Sequence, residues 1–296
     1  MNAARRDIGV DGALDLRATL RPITFPWGRF TQSGWVRPLR TPDGPATLLV
    51  RRDSTGIIGE AWGAGTLWVL DRLEGWVGLA DDPTSFMTDH PLVGDLVRRN
   101  PGVRFARTSL VYEAALVAVL AQKVTGKEAN GGLRGLMRRF SEPAPGPFDG
   151  LVLPPDPGPM AEAPYHLFHD LGIERRRAET VRRVATEADR LDRLAELPVA
   201  TAGEWLRRIR GVGAWTVAET VSVSHCDPDA LSVGDFHLKH LVAWHLAGQP
   251  RGTDEEMVAL LEPFRPHRGR VVRLLERAGQ YPKYGPRQPI RSLAGY

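Results

Sequence analysis

Two stretches of the chain carry residue types whose spacing could do chemistry. The first is Gly211-Val212-Gly213, set between two helix-like segments. Glycines at such a turn bring bare backbone amides to the start of the second segment, Ala214-Trp215-Thr216-Val217-Ala218, where a phosphate oxygen is favourably held. Val212 is expected to point inward and pin the hairpin. Alone, a Gly-x-Gly pair reads more readily as a plain turn. The second is Asp235, which follows Gly234 and leads into the apolar-periodic Phe236, Leu238, Leu241 and Val242. Taken singly, Asp235 is an N-cap. Taken with the hairpin, it is a carboxylate beside a phosphate site, an arrangement from which a pure phosphate binder gains nothing.

Several elements must position these residues. Thr201 and Glu204 have capping-box spacing ahead of Trp205, Leu206 and Ile209, which share one helical face. Thr108 precedes a stretch from Leu110 to Val124 that is apolar nearly all round, so a buried central helix is expected there. Gln122 and Lys123 lie at its tail. From Leu16 to about Asp82 the pattern is strand-like, in Asp15–Leu20, Gly34–Leu39, Thr47–Arg51, Ile57–Trp62 and Thr66–Leu70. Thr41-Pro42-Asp43-Gly44 is a turn, with Pro fixing φ and Gly accepting φ > 0. Trp35, Trp62, Trp68 and Trp76 read as core residues of a sheet more readily than as base-stacking platforms. A Pro-rich loop, 141–164, is expected to cross the surface. An arginine-studded helix should run from Leu171 through Leu194, and Thr253 with Glu256 forms a further capping box. The fold class is α+β. An antiparallel β-rich domain at 1–85 precedes an all-helical domain at 86–285, with a tail at 286–296.

The 296 residues carry a formal charge of +4, a basic surplus compatible with a polyanionic partner. Only Lys123, Lys127, Lys239 and Lys283 are lysines, so nearly all positive charge is arginine, whose planar fork suits phosphate oxygens. The single cysteine, Cys226, excludes intramolecular disulfides and a four-cysteine iron–sulfur or zinc site. No apolar run is long enough to span a bilayer, and the first twenty or so residues lack a signal-peptide core. A cytoplasmic protein is expected, associated with the nucleoid in a bacterial cell.

The segments Leu206-Arg-Arg-Ile-Arg-Gly-Val-Gly-Ala-Trp-Thr216 and Val233-Gly-Asp-Phe-His-Leu-Lys239 resemble the helix–hairpin–helix DNA glycosylases, and most closely the AlkA-type 3-methyladenine (alkylpurine) branch. Leu120-Ala-Gln-Lys-Val-Thr-Gly126, Leu171–Ala178 and Pro266–Arg270 are similar to further family segments, with His267 where the family carries Trp. The resemblance implies a monofunctional glycosylase of base excision repair that flips and excises a damaged, alkylated purine from double-stranded DNA and works as a monomer. Asp235 would be the catalytic carboxylate, and Trp215 and Phe236 would line the base pocket. Glu219 occupies a place where the family carries an aromatic. Gly211, Val212, Gly213, Ala214 and Thr216 would meet the DNA backbone, as would Arg268; Gln122 would be a minor-groove or base-pair contact, and Lys239 would meet phosphate or form a salt bridge. Lys123 lies where an apolar wedge is usual, so its long stem would have to fill that space.

No cofactor is required by this reading, and no side-chain metal set is expected. Hairpins of this family can hold a monovalent cation on backbone carbonyls, here those of Ile209 and Val212. Trp215 stands where bifunctional relatives carry a nucleophilic lysine, which implies no lyase activity. Glycosidic cleavage develops positive charge on the sugar, which one fixed carboxylate stabilises. Two other readings stay open: a glycosylase for oxidised or deaminated bases, and a non-catalytic DNA-binding protein built on the same hairpin.

Overall fold

The computed structural model describes residues 3–279. The tail expected at 286–296, and the last residues of the helical domain before it, lie outside the described residues. The fold is α+β. Its antiparallel sheet is built from β1 (Ala4–Ile8), β2 (Arg29–Thr31), β3 (Gly34–Thr41), β4 (Gly44–Arg52) and β5 (Ile57–Gly63), in the order β1-β5-β4-β3-β2. Thr41 pairs with Gly44 across the two-residue turn Pro42-Asp43, and Gly44 takes φ +110° to close it.

Two segments expected as strands are helices: α1 (Leu16–Thr24) and α2 (Thr66–Asp71), followed by α3 (Leu73–Trp76). Asp15 Oδ1 accepts from the Ala18 amide and starts α1, where Leu20 and Ile23 turn a buried stripe to the sheet. Thr66 Oγ1 donates to the Gly63 carbonyl, so the chain leaves β5 and coils at once, burying Trp68, Val69 and Leu70. Trp35, Trp68 and Trp76 are core residues here. The Pro-rich segment does more than cross the surface: Leu151 packs on Val36 and Leu49, and Phe148 meets the Trp62 ring edge-on at 5.2 Å. Both faces of the sheet are therefore covered.

The helical remainder comprises α4 (Pro91–Arg99), α5 (Val111–Leu120), α6 (Gly126–Phe140), α7 (Pro157–Glu162), α8 (Tyr165–His169), α9 (Arg175–Thr186), α10 (Ala188–Arg193), α11 (Val199–Leu206), α12 (Ala214–Ser224), α13 (Leu238–Ala247), α14 (Asp254–Leu261) and α15 (Arg268–Ala278). The expected arginine helix is broken at Glu187 into α9 and α10. Thr201 and Glu204 lie inside α11, which begins after Pro198, so they form no capping box; that of Thr253 and Glu256 is present. No helix among the described residues is long and apolar enough to cross a membrane.

Helix α5 is buried on nearly every side and packs against α9 and α12, as its all-round apolarity requires. It stops at Leu120, because Thr125 and Glu128 form a capping box that opens α6. One charge interrupts it. Glu113 forms a buried ion pair with Arg37 of β3, and the Arg37 guanidinium also stacks 5.0 Å from the Trp76 ring. Burial pushes Arg37 down to about 9, so it stays cationic at neutral pH. The pair fixes the sheet against the start of the central helix. Glu113→Ala should lower unfolding free energy by about 3–5 kcal/mol, because an uncompensated guanidinium is left buried. Arg37→Met combined with Glu113→Leu should recover most of that loss, as read from urea midpoints. Equal losses in the single and double variants would contradict the assignment.

Candidate functional site

Helices α11 and α12 are joined by the Gly211-Val212-Gly213 hairpin. The amide of Val212 donates to the Ile209 carbonyl at 2.9 Å, and the Val212 side chain is buried, as expected. The two glycines serve different ends. Gly211 takes φ +104°, and a Cβ there would lie 2.2 Å from Thr180 Oγ1 of α9. Gly213 is extended, and a Cβ on it would meet nothing within 4 Å. Gly211 is thus required by the protein's own packing, whereas Gly213 keeps open the space outside the hairpin. No side chain caps α12, so the amides at its exposed start face outward at the positive end of the helix dipole.

Gln122, just past α5, holds this turn from inside. Its Nε2 donates to the Gly211 carbonyl at 2.9 Å and to Thr216 Oγ1 at 2.8 Å. That amide nitrogen is committed to the hairpin, so a contact of Gln122 with a base would fall to its Oε1. Thr216 is buried, so its side chain serves the same internal bond.

Asp235 is half-buried before α13. Its Oδ1 accepts from the amides of His237 (2.7 Å) and Leu238 (2.9 Å), while Trp215 Nε1 donates to its Oδ2 at 3.2 Å. The N-cap of α13 is His237 and not Asp235, but the bonds to the His237 and Leu238 amides hold the Asp235 carboxylate just ahead of α13 and against α12. Glu219, one turn beyond Trp215, accepts a short hydrogen bond from Ser232 Oγ. Surrounding protein holds the Glu219 carboxyl above the usual glutamate range, with Ser232 opposing the shift and the charges of Asp235 and Glu276 adding to it. Glu276 of α15 is raised by the same crowding, against Arg273 and with Asp235. The charges of Asp235 and Glu276 thus reach Glu219, which lies one turn from Trp215 on α12. Glu276 escaped the sequence reading, since no local motif marks it. Phe236 is 52% exposed and sits edge-on to His237 at 5.1 Å, so its ring lies largely in solvent.

No family model matches the chain. Over 123 residues it is 26% identical to Bacillus subtilis YfjP, provisionally named a DNA-3-methyladenine glycosylase; the match spans 40% of this chain and 43% of that protein, less than half its length. The whole fold superposes on 3-methyladenine DNA glycosylase from Archaeoglobus fulgidus with a TM-score of 0.74 at 17% identity, covering 92% of this chain and 97% of that one. The 8-oxoguanine glycosylase/lyase of Clostridium acetobutylicum gives 0.70 at 13% identity, covering 93% and 96%. The chain has the helix–hairpin–helix DNA glycosylase fold.

Within this glycosylase fold, two expected DNA contacts are otherwise engaged. Lys239 pairs with Asp254 at 3.4 Å, and the other oxygen of Asp254 accepts from the Gly234 amide. Arg268 binds Asp229 in a two-pronged pair, Nε to Oδ1 at 2.9 Å and Nη2 to Oδ2 at 2.7 Å. Both cations tie loops to helix starts. Lys123 is exposed, with a left-handed backbone at φ +54°. Of the carbonyls expected to hold a monovalent cation, that of Ile209 already accepts from Val212, so an ion there would have to share it. No cluster of three or more His, Cys, Asp or Glu suited to a metal occurs among the described residues.

The two glycines separate by experiment. Gly211→Ala should cost about 1–3 kcal/mol of stability through backbone strain alone, and more through the Thr180 clash. Gly213→Ala should keep the parent's melting temperature yet weaken duplex binding regardless of sequence. A stable Gly211→Ala, or undiminished DNA binding by Gly213→Ala, would contradict this division.

Proposed function

We propose that the protein is a monofunctional DNA glycosylase that hydrolyses the N-glycosidic bond of damaged purines, alkylated ones foremost. One observation carries the reading: a carboxylate, Asp235, is fixed by two backbone amides and one indole N–H next to a hairpin with outward-facing helix amides. The YfjP likeness supports the same class.

The mechanism follows from those positions. Phosphate oxygens bind at the start of α12, and the damaged nucleotide is extruded from the stack. As the bond from C1′ to the base nitrogen breaks, the base leaves with the electron pair and positive charge develops on the sugar. Asp235 is oriented before the reaction, so it stabilises that charge without reorganising. Water then forms the new C1′–O bond and releases its proton to solvent. An amine nucleophile would be needed for strand cleavage, but Trp215 fills the expected place and Lys239 is paired with Asp254. Proteins of the alkylpurine class act on bases that already carry positive charge and leave without a protonating acid. The Trp215 face and the carboxylates of Glu219, Glu276 and Asp235 suit such a ring.

Duplexes with single defined lesions, treated with the protein and then with alkali, test the activity. Methylated purines should be released, and Asp235→Asn should lower the rate by at least roughly 100-fold, about 3 kcal/mol, with duplex binding retained. Faster release of 8-oxoguanine or uracil would overturn the lesion class, and an active Asp235→Asn the catalytic role.

Glu219 adds a pH test. Its carboxyl is raised, so it is protonated over a wider range than an ordinary glutamate and gains charge as pH rises through that shifted value. Preference for cationic over neutral lesions should therefore increase with pH, by roughly tenfold for one charge near the base. Glu219→Gln should make the profile shallower, leaving only what Glu276 contributes. A parental pH profile in that variant would remove Glu219 from selectivity.

A further inference from the structure

The net charge is only +4, and many arginines are neutralised locally, such as Arg5 by Asp7, Arg99 by Asp95, Arg190 by Glu187 and Arg265 by Glu262. Around the hairpin the balance differs. Three segments converge on Gly211. The chain after α5 reaches it through the Gln122 bond to its carbonyl, α9 packs on it through Thr180, and the turn itself completes the junction.

Each segment brings exposed cations. Lys123 and Lys127 flank the start of α6. Arg176 lies one turn before Thr180, whose hydroxyl donates to the Arg176 carbonyl at 2.9 Å. Arg207, Arg208 and Arg210 lie on the turn. Nearby Arg175 and Arg183 share Glu179, but none of these six joins an ion pair among the described residues. The left-handed backbone of Lys123 is unusual for a residue with a side chain, and such conformations persist only where the surroundings impose them.

We propose that these six cations form a collar that binds backbone phosphates of duplex DNA on either side of the phosphate held by the α12 amides. The placement supports this: three segments bring these six exposed cations to one hairpin, and no ion pair among the described residues neutralises any of them. Guanidinium and ammonium groups of this kind position a duplex without reading its sequence. The collar, not Lys239 or Arg268, then supplies the electrostatic part of the affinity. The inference rests on the glycosylase reading only in taking duplex DNA as the polyanion.

The test is the salt dependence of binding to an undamaged duplex, followed by fluorescence anisotropy. The double variant Arg207→Ala/Arg210→Ala should have a log K against log salt slope shallower by roughly 1.8, at about 0.9 per phosphate contact. Its loss of affinity between about 50 and 200 mM salt should then be about twelvefold smaller than the parent's. Arg98→Ala/Arg99→Ala removes the same charge from α4, where both arginines pair with Asp95, and should keep the parental slope. An unchanged slope in the hairpin variant, or an equal change in the α4 variant, would overturn the collar. If the slope changes as expected but no lesion is ever released, the collar stands and the glycosylase reading falls. If bases are released with the parental slope intact, the reverse holds.

Discussion

The amide nitrogen of Gln122 spans the two sides of the hairpin, from the Gly211 carbonyl to the Thr216 hydroxyl, and the candidate site depends on it. Each such bond contributes only about 1 kcal/mol, yet its value lies in register. Gln122 follows directly on α5, and α5 is anchored at its start by the buried Arg37–Glu113 pair to the sheet. A rigid line therefore runs from β3 through α5 to the hairpin, along α12 to Trp215, and across the indole N–H to Asp235. The N-terminal sheet lies far from Asp235 in sequence, but it supplies the fixed end of that line.

Helix α12 also separates two electrostatic regions. At its start stand outward-facing amides and nearby cations; Trp215, its second residue, binds Asp235, and Glu219 one turn further on is reached by the charges of Asp235 and Glu276. A nucleotide undergoing glycosidic cleavage has the same polarity, with an anionic phosphate and a sugar becoming cationic. Burial raises Glu219 and Glu276, and the charges of neighbouring carboxylates add to the shift.

Much of this was legible in the chain. Gly-Val-Gly and the Asp before an apolar helix are local signals, and both hold their expected places. The inner three strands were legible for the same reason, since β3, β4 and β5 are bounded by turn residues. Leu16–Thr24 and Thr66–Asp71 were not, because short apolar runs fit either period until the Asp15 cap and the Gly63 carbonyl bond decide for a helix. The cations were legible only in part. No local signal names the partners of Lys239 and Arg268, because Asp254 and Asp229 are 15 and 39 residues away in the chain. Arg207, Arg208 and Arg210 looked like ordinary solvated charge until the fold brought Lys123, Lys127 and Arg176 to the same hairpin. Glu276 became visible only when α15 folded back towards α12 and Asp235.

Binding of a cationic sugar mimic tests the central claim, that Asp235 is a preorganised counter-ion for a developing sugar cation, most directly. Affinities would be compared for a duplex carrying a protonated pyrrolidine in place of one deoxyribose and for one carrying the neutral tetrahydrofuran. The parent protein should prefer the pyrrolidine by at least about 100-fold, as for a transition-state analogue, and Asp235→Asn should lose that preference while binding the tetrahydrofuran duplex as before. Equal affinities in the parent protein, or an undiminished preference in Asp235→Asn, would contradict the account.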